Sequence, residues 1–156
     1  MNLLVSSTGR LTAADAAAAI ILVGDRYLMQ LRDERAEIWY PGHWGLFGGA
    51  MEAGEEPIAA LRRELFEELE LTFEAPAACF FMQIEFDLSA IGLMRYRRDV
   101  YTVAIPPDSV QRLVLHEGAA VRLFTAAEIL VGPPVTPYDS FAIFIHAAQA
   151  RLRPSG

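Results

Sequence analysis

The chain has 156 residues, 53% of them apolar, and a formal net charge of −7. That length suits one domain, and that composition excludes disordered and fibrous classes. The acidic balance argues against a nucleic-acid polymer as partner, because backbone binders carry a basic face.

Residues 1–13 are weakly patterned and read as an N-terminal arm or an edge strand; residues 14–156 read as one domain. Residues 16–23 form a continuous apolar run that stops at Gly24-Asp25, and a second run, 27–32, follows. The pair predicts a β-hairpin. The first run is far too short to span a bilayer, and no cationic segment precedes it. A cytoplasmic chain with no membrane partner is the expectation. Residues 32–44 are polar and aromatic, with Pro41-Gly42 marking a loop. Gly48-Gly49 opens a further loop that closes at Gly54-Glu55.

Pro57 begins a predicted helix that runs to about Leu69. Proline suits a first helical position, where its missing N–H has no partner anyway. Ile58, Leu61, Leu65 and Leu69 recur at helical spacing and make one buried stripe. Residues 78–87 and 99–105 read as strands, joined by a loop that carries Arg95, Arg97 and Arg98. Residues 121–124 read as a short strand. Thr125 fits a helix cap, with Glu128 at the capping-box position. Residues 137–153 read as a last helix with Phe141, Phe144, Ile145 and Ala148 inward. Strands with interspersed helices indicate a layered α/β domain. Cys79 is the only cysteine. It excludes an intramolecular disulfide and a Cys-based zinc site, and reads as a small buried hydrophobe.

The chemistry gathers around the first helix. Seven of the chain's twenty acids lie within residues 52–70, against only Arg62 and Arg63. Glu64, Glu67 and Glu68 share one arc of the helix, beside its apolar stripe. Like charges at that spacing repel. They either stand in water or are neutralised, and oxygen-only ligands suit Mg²⁺ or Mn²⁺. A bare Glu-x-x-Glu-Glu is more often a solvated face. The preceding glycines change the balance, because they let backbone approach a ligand closely.

From Gly49 the chain reads Gly, five residues, Glu55, seven residues, then Arg63-Glu64-Leu65-Phe66-Glu67-Glu68-Leu69-Glu70-Leu71. This resembles the Nudix box, G-x5-E-x7-R-E-U-x-E-E-x-G-U, in which U is a bulky aliphatic residue. Residues 44–49, Trp-Gly-Leu-Phe-Gly-Gly, resemble the family's W-x-L-P-G-G lead-in, with Phe47 in place of Pro. Glu70 stands where the box has Gly. That glycine follows the helix end, where a left-handed conformation is common. Keeping that conformation with Glu costs roughly 1–2 kcal/mol.

The resemblance extends over about residues 14–153 and implies a Nudix-type α/β/α sandwich around a mixed β-sheet. It implies hydrolysis of a diphosphate bond in a nucleoside diphosphate linked to another moiety, such as a nucleotide sugar or a nucleoside triphosphate. It implies Mg²⁺ or Mn²⁺ as cofactor, held by Glu67 and Glu68. Glu64 is a third ligand or the base, and the Gly49 carbonyl completes the shell. Arg63 orients Glu55 and a neighbouring carboxylate. Leu115-His116-Glu117-Gly118 is similar to a Glu-Gly segment of MutT-like members, which makes Glu117 an added ligand or base. The substrate-binding candidates are Arg32, Gly48, Gly49, Trp39 and Tyr96. Arg95, Arg97 and Arg98 are candidates for a phosphate-facing rim, with Tyr40 and Phe81 as further stacking candidates. No role falls to His43, His116 or His146. A homodimer stays open.

Three other classes remain in view. A non-catalytic nucleotide-sensing module on a Nudix fold is expected to lose box carboxylates, which this chain keeps. An isomerase acting on isoprenoid diphosphates relies on a catalytic cysteine, and Cys79 lies past the box. An RNA-cap hydrolase conflicts with the acidic balance.

Overall fold

Strand β1 (Ala16–Val23) is the spine of the sheet, in a computed structural model that describes residues 14–152. The expected N-terminal arm, residues 1–13, lies outside the described residues, as does Arg153. The turn at Gly24-Asp25 returns the chain as β2 (Arg26–Leu31), antiparallel to β1 with Ile21 opposite Leu28. β3 (Trp44–Gly45) pairs with β2. β4 (Phe47–Ala50) lies antiparallel along the first half of β1. Helix α1 (Pro57–Leu69) follows.

β5 (Ala78–Asp87) and β6 (Arg95–Ala104) form an antiparallel pair, and β6 runs parallel to β1. β7 (Ala120–Phe124) pairs antiparallel with β2. Helices α2 (Ala126–Val131) and α3 (Pro137–Leu152) end the described chain. The sheet is mixed, with the order β3-β2-β1-β6-β5 along its main path.

β1 reads as an unbroken apolar run because both its faces are covered. Ala17, Ala19 and Ile21 meet Leu61, Leu65 and Leu69 of α1 on one side. Ala18 and Ile20 meet Ile129 of α2 and Ala142 and Ile143 of α3 on the other. These two cores make the α/β/α sandwich. The capping box of α2 is present, with Thr125 and Glu128 each bonding the other's backbone N–H. Among the described residues no helix is long and apolar enough to cross a membrane.

Four local expectations need correction. The segment at Gly48-Gly49 is strand β4 and not an open loop, since its backbone pairs with β1. The basic segment belongs to β6, which begins at Arg95. Cross-strand charge extends the pairing there: Arg95 faces Asp87 and Arg97 faces Glu85. Cys79 is exposed, because it lies on the edge strand β5, which packs chiefly on β6. Helix α3 is rotated from its expected face: Phe141 and Phe144 are 50% and 48% exposed, while Ala142 and Ile143 are buried. Ile145 and Ala148 are half-buried. Asp139 sets that rotation. It is 1% exposed and accepts from Thr136 Oγ1, the Leu46 N–H and Arg98. Ala142, Ile143 and His146 follow it at helical spacing on the inner face.

Candidate active site

The site begins with two glycines on β4. Gly48 has φ +128°, and a Cβ there would overlap the Ala17 carbonyl oxygen of β1. Only glycine lets the two strands meet in this way. A Cβ at Gly49 would fall 2.5 Å from the Glu64 carboxyl carbon. The bare backbone at Gly49 is the bed on which the Glu64 side chain lies.

Arg63 organises the acids of α1. Its Nε and Nη2 donate to the two oxygens of Glu55, each at 3.0 Å. Nη1 donates to Glu64 at 2.7 Å and to Glu67 at 3.3 Å. Nη2 also reaches the Ala50 carbonyl at 2.9 Å. This bidentate fork holds the Glu55 carboxyl below the usual carboxylate range, helped by the Glu52 N–H. Glu67 stays largely in solvent, with a side chain 55% exposed.

Glu68 points away from Arg63 and is buried. It accepts from the Gly48 N–H at 2.9 Å and from Gln30 Nε2 at 3.2 Å. Burial pushes its carboxyl up to about 7 despite both bonds, and the charges of Glu64 and Glu117 push the same way. Burial also raises Glu64, against the pull of Arg63, with Glu67 and Glu117 adding to the rise.

A second chain segment brings Glu117 to these acids. The end of α1 leaves carbonyls without helical partners. The Val114 N–H takes that of Leu69 at 3.1 Å, and the His116 N–H takes that of Glu68 at 2.9 Å. Glu70 keeps the left-handed conformation of the replaced glycine, with φ 53°. Its N–H reaches the Phe66 carbonyl at 2.9 Å, and the Leu71 N–H reaches that of Leu65 at 3.1 Å. The Glu70 carboxylate meets His116 Nε2 at 2.8 Å. Glu117 follows next in the chain.

Glu64, Glu68 and Glu117 line one cavity of about 580 Å³, together with Gly48 and Gly49. Arg32, Trp39 and Tyr96 line it as well. Arg98 enters from β6, across β1 from the glycine strand, and Ala16 is level with both Arg98 and Ala50. Arg98 donates to Asp139 at 2.9 Å and lies over the Tyr138 ring at 4.9 Å. Arg32 Nε donates to the Trp39 carbonyl at 2.9 Å, and among the described residues no carboxylate pairs with Arg32.

The other candidates scatter. Arg95 pairs with Asp87, and Arg97 turns to the opposite sheet face towards Asp99 and Asp15. Phe81 packs on His146, and Tyr40 on His43 and Tyr138. Among the cavity residues with no sequence-based candidacy are Gln30, Asp33, Arg35, Phe86 and Tyr138, and His116, which was given no role, lines the cavity too. One signal was available, since Gln30 interrupts the apolar run of β2.

The donor set suits a hard divalent cation: three carboxylates drawn into one cavity, beside bare backbone at Gly49. Among the described residues no three acid, His or Cys side chains are gathered closely enough to grip an ion as they stand. The reason is visible in the bonds, since Arg63, Gln30 and the Gly48 N–H occupy Glu64 and Glu68.

A family model for the NUDIX domain matches residues 13–140, most of the chain. The chain belongs to the Nudix family. It is a Nudix hydrolase, of a family that acts on nucleoside diphosphate derivatives. The Nudix fold is shared with the MutT protein of Methanosarcina mazei Go1, at TM-score 0.71 and 18% identity over 88% of this chain and 95% of that one. The E. coli dihydroneopterin triphosphate pyrophosphohydrolase aligns with TM-score 0.65 and 22% identity, over 85% of this chain and 94% of its own. A C. elegans Ap4A hydrolase aligns with TM-score 0.61 and 17% identity, over 88% and 98%. At these identities the likeness is one of fold. No curated protein matches.

Proposed function

We propose that this Nudix hydrolase cleaves the diphosphate linkage of a nucleoside triphosphate or a nucleotide sugar with Mg²⁺ or Mn²⁺. The observation that carries this reading is the meeting of Glu64, Glu68 and Glu117, from two distant segments, in one cavity that also holds an arginine with no carboxylate partner among the described residues. Glu64, Glu67 and Glu68 would hold the cation with the Gly49 carbonyl. A divalent ion there would neutralise phosphate oxygens and acidify the attacking water. Arg63 and Glu55 keep the α1 acids oriented, as partners of ligands commonly do. Arg32 binds a substrate phosphate oxygen.

The proton of the attacking water goes to Glu117. Glu64 is engaged by Arg63, whereas Glu117 has no hydrogen-bond or ion partner among the described residues. Water adds to one phosphorus, and the bridging oxygen leaves with the other phosphate.

The test is a panel of nucleoside triphosphates, nucleotide sugars and dinucleoside polyphosphates with each metal, scored by products released. The last group is included because a relative of like fold is an Ap4A hydrolase. Turnover should need metal, vanish in Glu68→Gln, and fall at least about a hundredfold in Glu117→Gln with metal binding kept. Metal-dependent binding without product across the panel would instead make the chain a nucleotide sensor.

A further inference from the structure

Arg98 is the most constrained cation in the cavity. Its side chain is 13% exposed, and its Nη2 donates to Asp139. Its Nε is buried and has no acceptor among the described residues. A buried donor left unpaired is costly, and arginine offers its donors as a rigid planar fork. Asp139 cannot follow a moving guanidinium, because Thr136 Oγ1 at 2.7 Å and the Leu46 N–H at 3.0 Å pin it.

The surroundings are flat and apolar. Tyr96 stacks on Phe86, with ring centroids 4.8 Å apart and planes 13° apart, and both line the cavity beside Arg98. Tyr138 lies under the guanidinium. The three cavity arginines differ in charge balance, and Arg35 pairs with Glu37. Arg98 is neutralised by Asp139, so an anionic phosphate gains little there. Arg32 has no such partner among the described residues and suits the phosphate. The complement of the Arg98 wall is a planar, uncharged ring whose edge carries acceptors.

We propose that Arg98, clamped by Asp139 beside the Tyr96–Phe86 stack, reads the nucleobase and selects a 6-oxopurine over a 6-aminopurine. Arginine pairs with adjacent O6 and N7 acceptors, whereas a 6-amino group turns a donor towards donors. This rests on the reading that the carboxylates of the same cavity take the diphosphate, and it names the nucleoside that diphosphate carries.

The experiment needs no turnover. Inosine and adenosine 5′-monophosphates are titrated into the full chain in EDTA, with binding followed by calorimetry. Inosine monophosphate should bind roughly ten- to a hundredfold tighter. Its 7-deaza analogue, which lacks the N7 acceptor, should lose most of that advantage. Arg98→Lys keeps a charge opposite Asp139 but has no fork, so the ratio should fall towards one. Equal affinities in the unaltered protein overturn the proposal, as does binding of neither compound at millimolar concentration. A preference that survives in a folded Arg98→Lys protein overturns it too. Should Arg98→Lys fail to fold, the 7-deaza comparison decides. Failure of hydrolysis in the substrate panel leaves this binding readout intact, so the two readings fail separately.

Discussion

Glu68→Gln separates the cost of a buried carboxylate from its use. Without metal, burial moves the Glu68 carboxyl from 4.5 up to about 7. Below pH 4.5 both the folded and the unfolded chain keep the proton, and Glu68 adds no cost. As pH rises past 4.5 the unfolded chain ionises first and gains on the native state. Above about pH 7 native Glu68 ionises too, and the loss levels off. Stability present at low pH is therefore lost as pH climbs to about 7. At ~1.36 kcal/mol per pKa step, the loss is about 3 kcal/mol.

Glutamine has nearly the same shape and does not titrate. Its carbonyl oxygen accepts from the Gly48 N–H, and its NH₂ pairs with Gln30 once the Gln30 amide turns its oxygen inward, the same exchange the protonated acid needs. Metal-free unfolding of both proteins at pH 4 and pH 8 gives the contrast. The stability difference between them should move by about 3 kcal/mol in favour of the variant at the higher pH. In melting temperature that is on the order of 6–12 °C, at roughly 2–4 °C per kcal/mol for a chain of this size. Millimolar Mg²⁺ at pH 8 should raise the melting temperature of the unaltered protein and leave the variant unmoved. Parallel pH curves for the two proteins would refute the reasoning.

Four further variants test the structure. Gly48→Ala should destabilise by more than about 2 kcal/mol, because its Cβ meets backbone and φ is +128°. Gly49→Ala, whose Cβ meets only the Glu64 side chain, should keep stability within about 1 kcal/mol yet lose more than about tenfold in kcat; thermal melts and steady-state rates on both variants check the pair. Glu70→Gly should stabilise by about 1 kcal/mol in urea unfolding, since it relieves the left-handed residue and loses only the half-exposed contact with His116. Asp139→Ala should cost about 3–5 kcal/mol in the same assay, because it strands the buried Arg98 charge.

The path from residues to fold was legible where one local rule decides it. β1, α1 and β5 span the expected residues, and the Thr125–Glu128 capping box is formed. Each depends on near neighbours in the chain: an apolar run, a helical stripe, a proline, a cap. The box glycine marked a helix end at Glu70 but left its conformation open, and the structure keeps the left-handed one. The misreadings share one cause. Gly48-Gly49 looks like loop until β1 offers its backbone, and Arg95 looks like loop until Asp87 lies opposite. Phe141 and Phe144 look like core because hydrophobicity favours them. The helix is turned instead by Asp139, whose three donors come from residues 46, 98 and 136.

By itself the sequence determined that the acids of α1 lie together, because spacing along a helix converts directly into a shared face. It also determined that glycine must precede those acids. The resemblance at residues 115–118 named Glu117, but only the tertiary structure decided how it joins them: its segment docks by backbone bonds to the open carbonyls of a helix more than forty residues earlier. Arg98 stands apart from Arg95 and Arg97 because strand alternation and a buried aspartate select one arginine of three. Such choices depend on groups brought together by folding, and no local spacing in the chain encodes them.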